Sequence, residues 1–235
     1  MQNVLYICGD SFCSKDAEYG KNWPELLSEQ CPNISVINLS IPGASNYLIY
    51  LQVKEAIKHQ ANYIIFHASG SFRNEFSINA SNTNTDDKLD RYWNITNPTS
   101  QAPTVCCSWT NPWNFKKHNI NIFSHNDVMQ IINFFKKRID IPSLIEKNYI
   151  FINYTLQLLD SMNIPFAWSQ GGFEHKKFNT STEWNFTAYK DKECKINLWD
   201  YSDSQIPRPY YHITDKQILQ DVCNEYINML NLTDA

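Results

Sequence analysis

Apolar residues fall into short unbroken runs in the first part of the chain and into helical repeats further on. Residues 3–8, NVLYIC, form a run that stops at Gly9, which predicts a buried strand feeding a loop. Asn22-Trp23-Pro24 opens a short helix: Asn caps it, Pro sits in the first turn, and Leu26 and Leu27 face inward. Residues 34–39, ISVINL, predict a second strand, and Pro42-Gly43-Ala44-Ser45 a tight loop. A helix over about 46–59 follows, with Leu48, Leu51 and Ile57 recurring at helical spacing. Residues 62–68, NYIIFHA, predict a third buried strand.

Strands alternating with helices imply parallel strands joined by right-handed crossovers. Continuous rather than alternating apolar runs fit a sheet covered on both faces. The pattern then stops. Residues 70–125 are polar, rich in Asn, Thr, Ser and Trp, and without a sustained period. A stretch that long inside a compact domain reads as an insertion with functional weight. Helical periodicity returns at about 127–137 and strongly at 143–162. Residues 164–169, IPFAWS, predict another strand, ended by Gln170-Gly171-Gly172, and a second irregular insertion covers about 172–211. The last helix spans about 215–230, with Thr214 and Gln217 as its expected capping box. No internal repeat is present.

Composition narrows the class. At 235 residues and 43% hydrophobic, the chain is long and apolar enough for one domain with a sizeable core. A net charge of −4 and Lys pairs scattered along the chain (Lys116/Lys117, Lys136/Lys137, Lys176/Lys177) argue against a nucleic-acid partner. No apolar run is long enough to span a membrane. The start of the chain has no basic leader and no extended apolar region, so it reads as a first strand rather than a signal peptide, and a cytoplasmic location is expected. Seven cysteines, an odd number with no CxxC pair and no zinc-module spacing, read as reduced core fillers, and no metal is expected. The 27 Asn, and 16 Lys against 4 Arg, are the bias of an AT-rich coding sequence. That bias accounts for the N-x-S/T triplets at Asn33, Asn38, Asn79 and Asn94 without glycosylation.

In open α/β sheets a site lies beyond the carboxyl ends of the strands. The residues there are Gly9-Asp10-Ser11, Pro42-Gly43, and 69–75. Ser11 follows a glycine at a sharp strand-to-helix turn, which presents a hydroxyl beside backbone N–H groups able to bind an anion. A nucleophilic serine needs those two features and a base. Gly-Asp-Ser is equally a good turn sequence. Of the six histidines, His59 ends a helix and His67 lies in a strand, both structural places. His118, His125 and His175 fall in the insertions. His212 stands apart, on a loop bounded by Pro207 and Pro209 just before the capped C-terminal helix, where a base is well held.

Gly9-Asp10-Ser11-Phe12 resembles the first block of the GDSL, or SGNH, hydrolase superfamily. Pro42-Gly43-Ala44-Ser45-Asn46 resembles its second block, and His212 before the last helix resembles its final one. The resemblance covers roughly 1–76 and 140–235. It implies a three-layer α/β/α sandwich, flavodoxin-like, with a mainly parallel sheet of about five strands. It also implies one domain over 1–235 carrying insertions at about 77–125 and 172–211. Ser11 is then the nucleophile, His212 the base, and Gly43 an oxyanion donor through its N–H, with no cofactor required.

Two departures stand out. The third block, Gly-x-Asn-Asp, is not matched. Asn74 lies three or four residues later and is the expected substitute, with the Ser69 and Ser71 hydroxyls as alternatives. The acid of the last block, three residues before the histidine, is replaced by Pro209. Asp203 is the expected replacement, with Asp200 or a backbone carbonyl as alternatives. The expected activity is hydrolysis of an ester-linked acyl group on a small-molecule or carbohydrate substrate, such as an O-acetyl ester. The alternatives are an O-acyltransferase and a non-catalytic binding or assembly protein on the same fold. Trp93, Trp109, Trp113 and Tyr92 lie together in the long insertion and suit sugar rings or acyl chains, or else form a satellite core. Arg73 and Glu75 form a salt bridge, or Arg73 holds a substrate carboxylate. Cys8 and Cys13 flank the serine loop as packing residues.

Overall fold

A computed structural model describes residues 2–14, 20–70, 73–77, 104–108, 130, 140–171, 186–199, 201, 213 and 215–234. Its centre is a four-stranded parallel sheet built from β1 (Asn3–Cys8), β2 (Ile34–Asn38), β3 (Tyr63–His67) and β6 (Phe166–Ser169), in the order β2-β1-β3-β6. Each strand is one of the apolar runs of the sequence. The fifth strand implied by the resemblance has no such run, and the sheet has four among the described residues. Leu5 pairs with Val36 on one side and Tyr63 on the other, and Ile64 pairs with Phe166. β1 is therefore interior, and β1, β2, β3 and β6 all end on one edge.

Among the described residues four helices cover the sheet: α1 (Trp23–Gln30), α2 (Asn46–Lys58), α3 (Ile141–Ser161) and α4 (Lys216–Leu230). Strand alternation sends Leu5, Ile7, Ile65 and Ala167 towards α1 and α4. It sends Tyr6, Cys8, Ile64, Phe66, Phe166 and Trp168 towards α2 and α3. The result is the expected three-layer α/β/α arrangement. No helix among the described residues is long and apolar enough to cross a membrane.

Caps fix where the helices begin. Asn22 and Glu25 form a reciprocal capping box on α1, with Pro24 in its first turn. Ser45 Oγ accepts from Leu48 N at 3.2 Å to start α2. The cap of α4 is Asp215, not the expected Thr214: its carboxylate accepts from Gln217 N at 2.9 Å and Ile218 N at 3.3 Å. A carboxylate also favours the positive end of the helix dipole, which a threonine hydroxyl cannot match.

One element departs from the sequence reading. β4 (Arg73–Ser77) and β5 (Thr104–Ser108) pair antiparallel within the stretch expected to be irregular, with Asn74 opposite Cys107. A two-stranded ladder is held by backbone hydrogen bonds and needs no apolar stripe, so periodicity did not reveal it. The expected helix at 127–137 lies outside the described residues apart from Gln130, which is helical.

Candidate active site

β1 ends in a turn whose backbone is held on almost every side. Asp10 is buried, and its Oδ1 accepts from Phe12 N at 3.0 Å. Its carbonyl accepts from Cys13 N and Ser14 N, both at 3.1 Å. Asp10 is therefore the scaffold of the turn. The Asn22 side chain donates to Phe12 O and Ser14 O, both at 3.0 Å. Trp23 Nε1 donates to Phe12 O at 3.1 Å, and Asn38 Nδ2 to Cys13 O at 2.7 Å. The buried Gln52 side chain of α2 brackets Gly9, accepting from its N–H at 2.7 Å and donating to its carbonyl at 3.2 Å. Gly9 is needed for space: a Cβ there would lie 2.7 Å from Cys13 Sγ and 3.4 Å from His67 Cβ.

Within this frame Ser11 stands out. From Leu5 to Ser14 it is the one residue that is not buried. Among the described residues no group accepts from its N–H. Beside it, Ile41 N donates to Gly9 O at 3.1 Å, which carries the β1–β2 ladder past the end of β2. Ala44 N then donates to Ile41 O at 3.1 Å while Gly43 takes φ +84°. Proline at the second position and a positive φ at the third make a type II turn, which is why glycine stands there. In such a turn the Gly43 N–H points away from the turn's own hydrogen bond.

Asn46, the first residue of α2, ties this turn to the exit of β3. Its Oδ1 accepts from Ser69 N at 2.7 Å, and its Nδ2 donates to Ser69 O at 3.0 Å and to Asn148 Oδ1 at 2.9 Å. Beneath the serine loop, His67 is buried with its ring stacked on Trp23 at 5.1 Å and its Nε2 2.5 Å from the Tyr226 hydroxyl. Burial lowers its pKa to about 3, so it is a neutral structural histidine and not a titrating base. Burial likewise pushes the Cys8 and Cys13 thiols up, which fits packing residues rather than nucleophiles. Cys8, Cys13, Cys31, Cys194 and Cys223 are free and buried.

The structure thus places Ser11 and Gly43 on one sheet edge. His212 and Asp203 lie outside the described residues, as do Ser71, Asp200, Pro209, Thr214, Tyr92, Trp93, Trp109 and Trp113. Asn74 is a backbone position in β4, and the side chains of Arg73, Asn74 and Glu75 are not among those described. Three contacts involve described residues that neighbour the 203–212 segment in sequence. Phe12 packs edge-on against Trp199 at 5.6 Å, the Tyr201 hydroxyl donates to Asp215 Oδ2 at 2.7 Å, and Ile213 packs against the α1–α4 core. No group of three or more His, Cys, Asp or Glu among the described residues is set to hold a metal ion. Sequence reasoning missed Gln52 as a loop clamp. Its signal is an uncharged amide in the buried stripe Leu48, Ile49, Val53 and Ala56, where an apolar residue belongs.

No protein-family model matches the chain, and no curated protein matches its sequence. Among solved structures it is similar to the psychrotrophic esterase EstA from Pseudoalteromonas sp., in a crystal structure inhibited by monoethylphosphonate. The identity is 12%, the TM-score 0.47, and the match covers 97% of each chain.

Proposed function

We propose that the chain is a serine hydrolase of ester-linked acyl groups, with Ser11 as nucleophile and His212 as base. The observation that carries this is the presentation of Ser11, the one unburied residue of a fully braced turn at the carboxyl edge of an interior parallel strand. His212 takes the Ser11 proton as Oγ attacks the ester carbonyl. The tetrahedral oxyanion is received by the Ser11 and Gly43 N–H groups and by Asn74 as third donor. His212 then protonates the departing alcohol, leaving an acyl ester on Ser11. Water, activated by His212, attacks that ester and releases the acid. Asp203 orients the imidazole. The insertions at about 77–125 and 172–211 set acyl specificity, and O-acetyl groups on carbohydrate are the preferred substrate.

Ser11→Ala tests the reading. Loss of the nucleophile of such a unit costs on the order of 10⁶ in rate. Removing one oxygen at this partly buried position costs about 1 kcal/mol or less in stability. The expected pattern is an unshifted melting temperature with loss of p-nitrophenyl ester hydrolysis and of fluorophosphonate labelling. Wild type that neither hydrolyses nor labels makes the chain a binding or assembly protein. A variant that chiefly loses stability makes Ser11 a turn residue.

A further inference from the structure

The outer seam between α2 and α3 carries a row of aromatic rings left open to solvent. Both helices run from the carboxyl edge of the sheet towards its amino edge, and Asn46 donates to Asn148 at 2.9 Å to tie them near the carboxyl edge. Their inward faces give Leu48, Ile49, Val53, Ile145, Ile152 and Leu156 to the core. Along the outward seam lie Tyr47 and Tyr50 of α2 and Phe151 and Tyr154 of α3. Ring centres step along it by 5.0 Å from Tyr47 to Phe151, 6.2 Å from Phe151 to Tyr50 and 5.4 Å from Tyr50 to Tyr154. None of the four is buried, and Tyr154 and Ile150, one turn apart, are each 51% exposed. Exposed apolar surface rimmed by polar groups marks a contact site. Here the rim is cationic: Lys54 Nζ lies 5.6 Å from the Tyr50 ring centre and Lys147 Nζ 6.0 Å from that of Phe151. Lys54 has no carboxylate partner among the described residues, and the one acid of α2, Glu55, is engaged by Lys58 and His59. Glu146, beside Lys147 in sequence, leaves two ammonium groups to one carboxylate. The row also begins at the edge that carries Ser11, because Tyr47 stands in the first turn of α2, four residues after Gly43.

We infer that this seam binds a sugar chain bearing carboxylates. Tyrosine joins a flat apolar ring, which covers the C–H face of a sugar, to a hydroxyl that hydrogen-bonds its polar rim. Three of the four rings carry such a hydroxyl, which suits a hydroxylated partner better than a lipid surface. The rings are packed against one another on two helices, so little side-chain freedom is left to lose on binding. The lysines select for charge: a chain of net charge −4 repels a polyanion everywhere except where cations are gathered. The choice of a sugar rests on the reading of Ser11 as the nucleophile of a carbohydrate esterase.

The test measures retardation of the native protein in gels holding polygalacturonate, with the same polymer fully methyl-esterified as the uncharged control. Kinetics on p-nitrophenyl acetate and on acetylated polygalacturonate run beside it, for wild type, Tyr154→Ala and Lys54→Glu. Wild type is expected to be held back by polygalacturonate, less by its methyl ester, and to be released by high salt. Tyr154→Ala and Lys54→Glu should each weaken that retention about tenfold and raise KM on the acetylated polymer by a like factor, with kcat/KM on p-nitrophenyl acetate within about twofold of wild type. If Tyr154→Ala fails to fold, Lys54→Glu decides, since its position is exposed. Equal retention by the two polymers overturns the anionic partner. No retention, in a wild type that turns over p-nitrophenyl acetate, overturns the inference and leaves the Ser11 reading intact. Retention that both variants abolish, in a wild type that neither turns over nor labels with fluorophosphonate, keeps the sugar surface and overturns the Ser11 reading. A wild-type dimer in sedimentation that Tyr154→Ala makes monomeric gives the seam to a second copy of the chain and overturns the inference.

Discussion

The two faces of β1 hold the serine loop by different means. On the α2–α3 face the grip is amide chemistry: Gln52 brackets the Gly9 peptide, and Asn46 brackets that of Ser69. On the α1–α4 face it is aromatic bulk. Trp23 stacks on His67 and lies 5.1 Å from the Tyr226 ring, with one Trp23 hydrogen bond reaching up to Phe12 O. Amide pairs are directional and weak in net stability, whereas buried rings contribute chiefly through the large apolar area they remove from water. The amide face therefore sets where backbone donors point, and the aromatic face supplies the stability against which they are set.

Trp23→Ala is the sharpest way to break that division and the largest stability effect expected. The ring is fully buried, and emptying such a site costs about 3–5 kcal/mol. Chemical denaturation should show that loss, and the surviving folded fraction should keep a near wild-type kcat. A variant of unchanged stability would refute the aromatic support. Gln52→Leu probes the other face. It fits the apolar stripe of α2 but leaves the Gly9 N–H without its side-chain partner, at about 1–3 kcal/mol. The loss in stability should be smaller than for Trp23→Ala and the loss in kcat on p-nitrophenyl esters larger. The reverse ranking would mean that the faces do not divide the work in this way.

Much of the fold was readable from the chain, whereas the division between the two faces was not, for physical causes. The strands and helices of the sheet follow from unbroken apolar runs and 3.6-residue repeats, because burial on both faces forces those patterns. Ser11 and Gly43 were legible because each answers a backbone demand: a sharp exit from β1, and a positive φ at 43. Gln52, Asn46 and Ser69 were harder, because their roles depend on partners 43, 23 and 23 residues away that only the register brings together. The β4–β5 ladder was hidden because its five-residue strands carry no period of their own. The cap of α4 was misplaced by one residue, since Thr214 and Asp215 are both good caps in sequence and only geometry separates them.

At neutral pH His67 contributes the least, and it separates the faces only as the pH falls. Amides do not titrate, so the Gln52 and Asn46 grip is indifferent to acid. His67 on the aromatic face is not, because burial lowers its pKa from 6.5 to about 3. Between those values the unfolded chain binds a proton at this residue that the folded chain does not, so acid favours unfolding. The His67 contribution is fully present above the unfolded pKa and is lost as pH falls from about 6.5 towards 3. One differential proton corresponds to about 1.4 kcal/mol per pH unit. His67→Gln keeps a polar side chain of similar size but cannot take up the proton. Urea unfolding at pH 7, 6, 5 and 4 should show wild type losing stability more steeply than the variant by about that slope, whatever the carboxylates add to both. Parallel curves would mean that His67 is no more protected from protons in the folded chain than in the unfolded one, and the aromatic face would lose its claim to be the dry support of the loop.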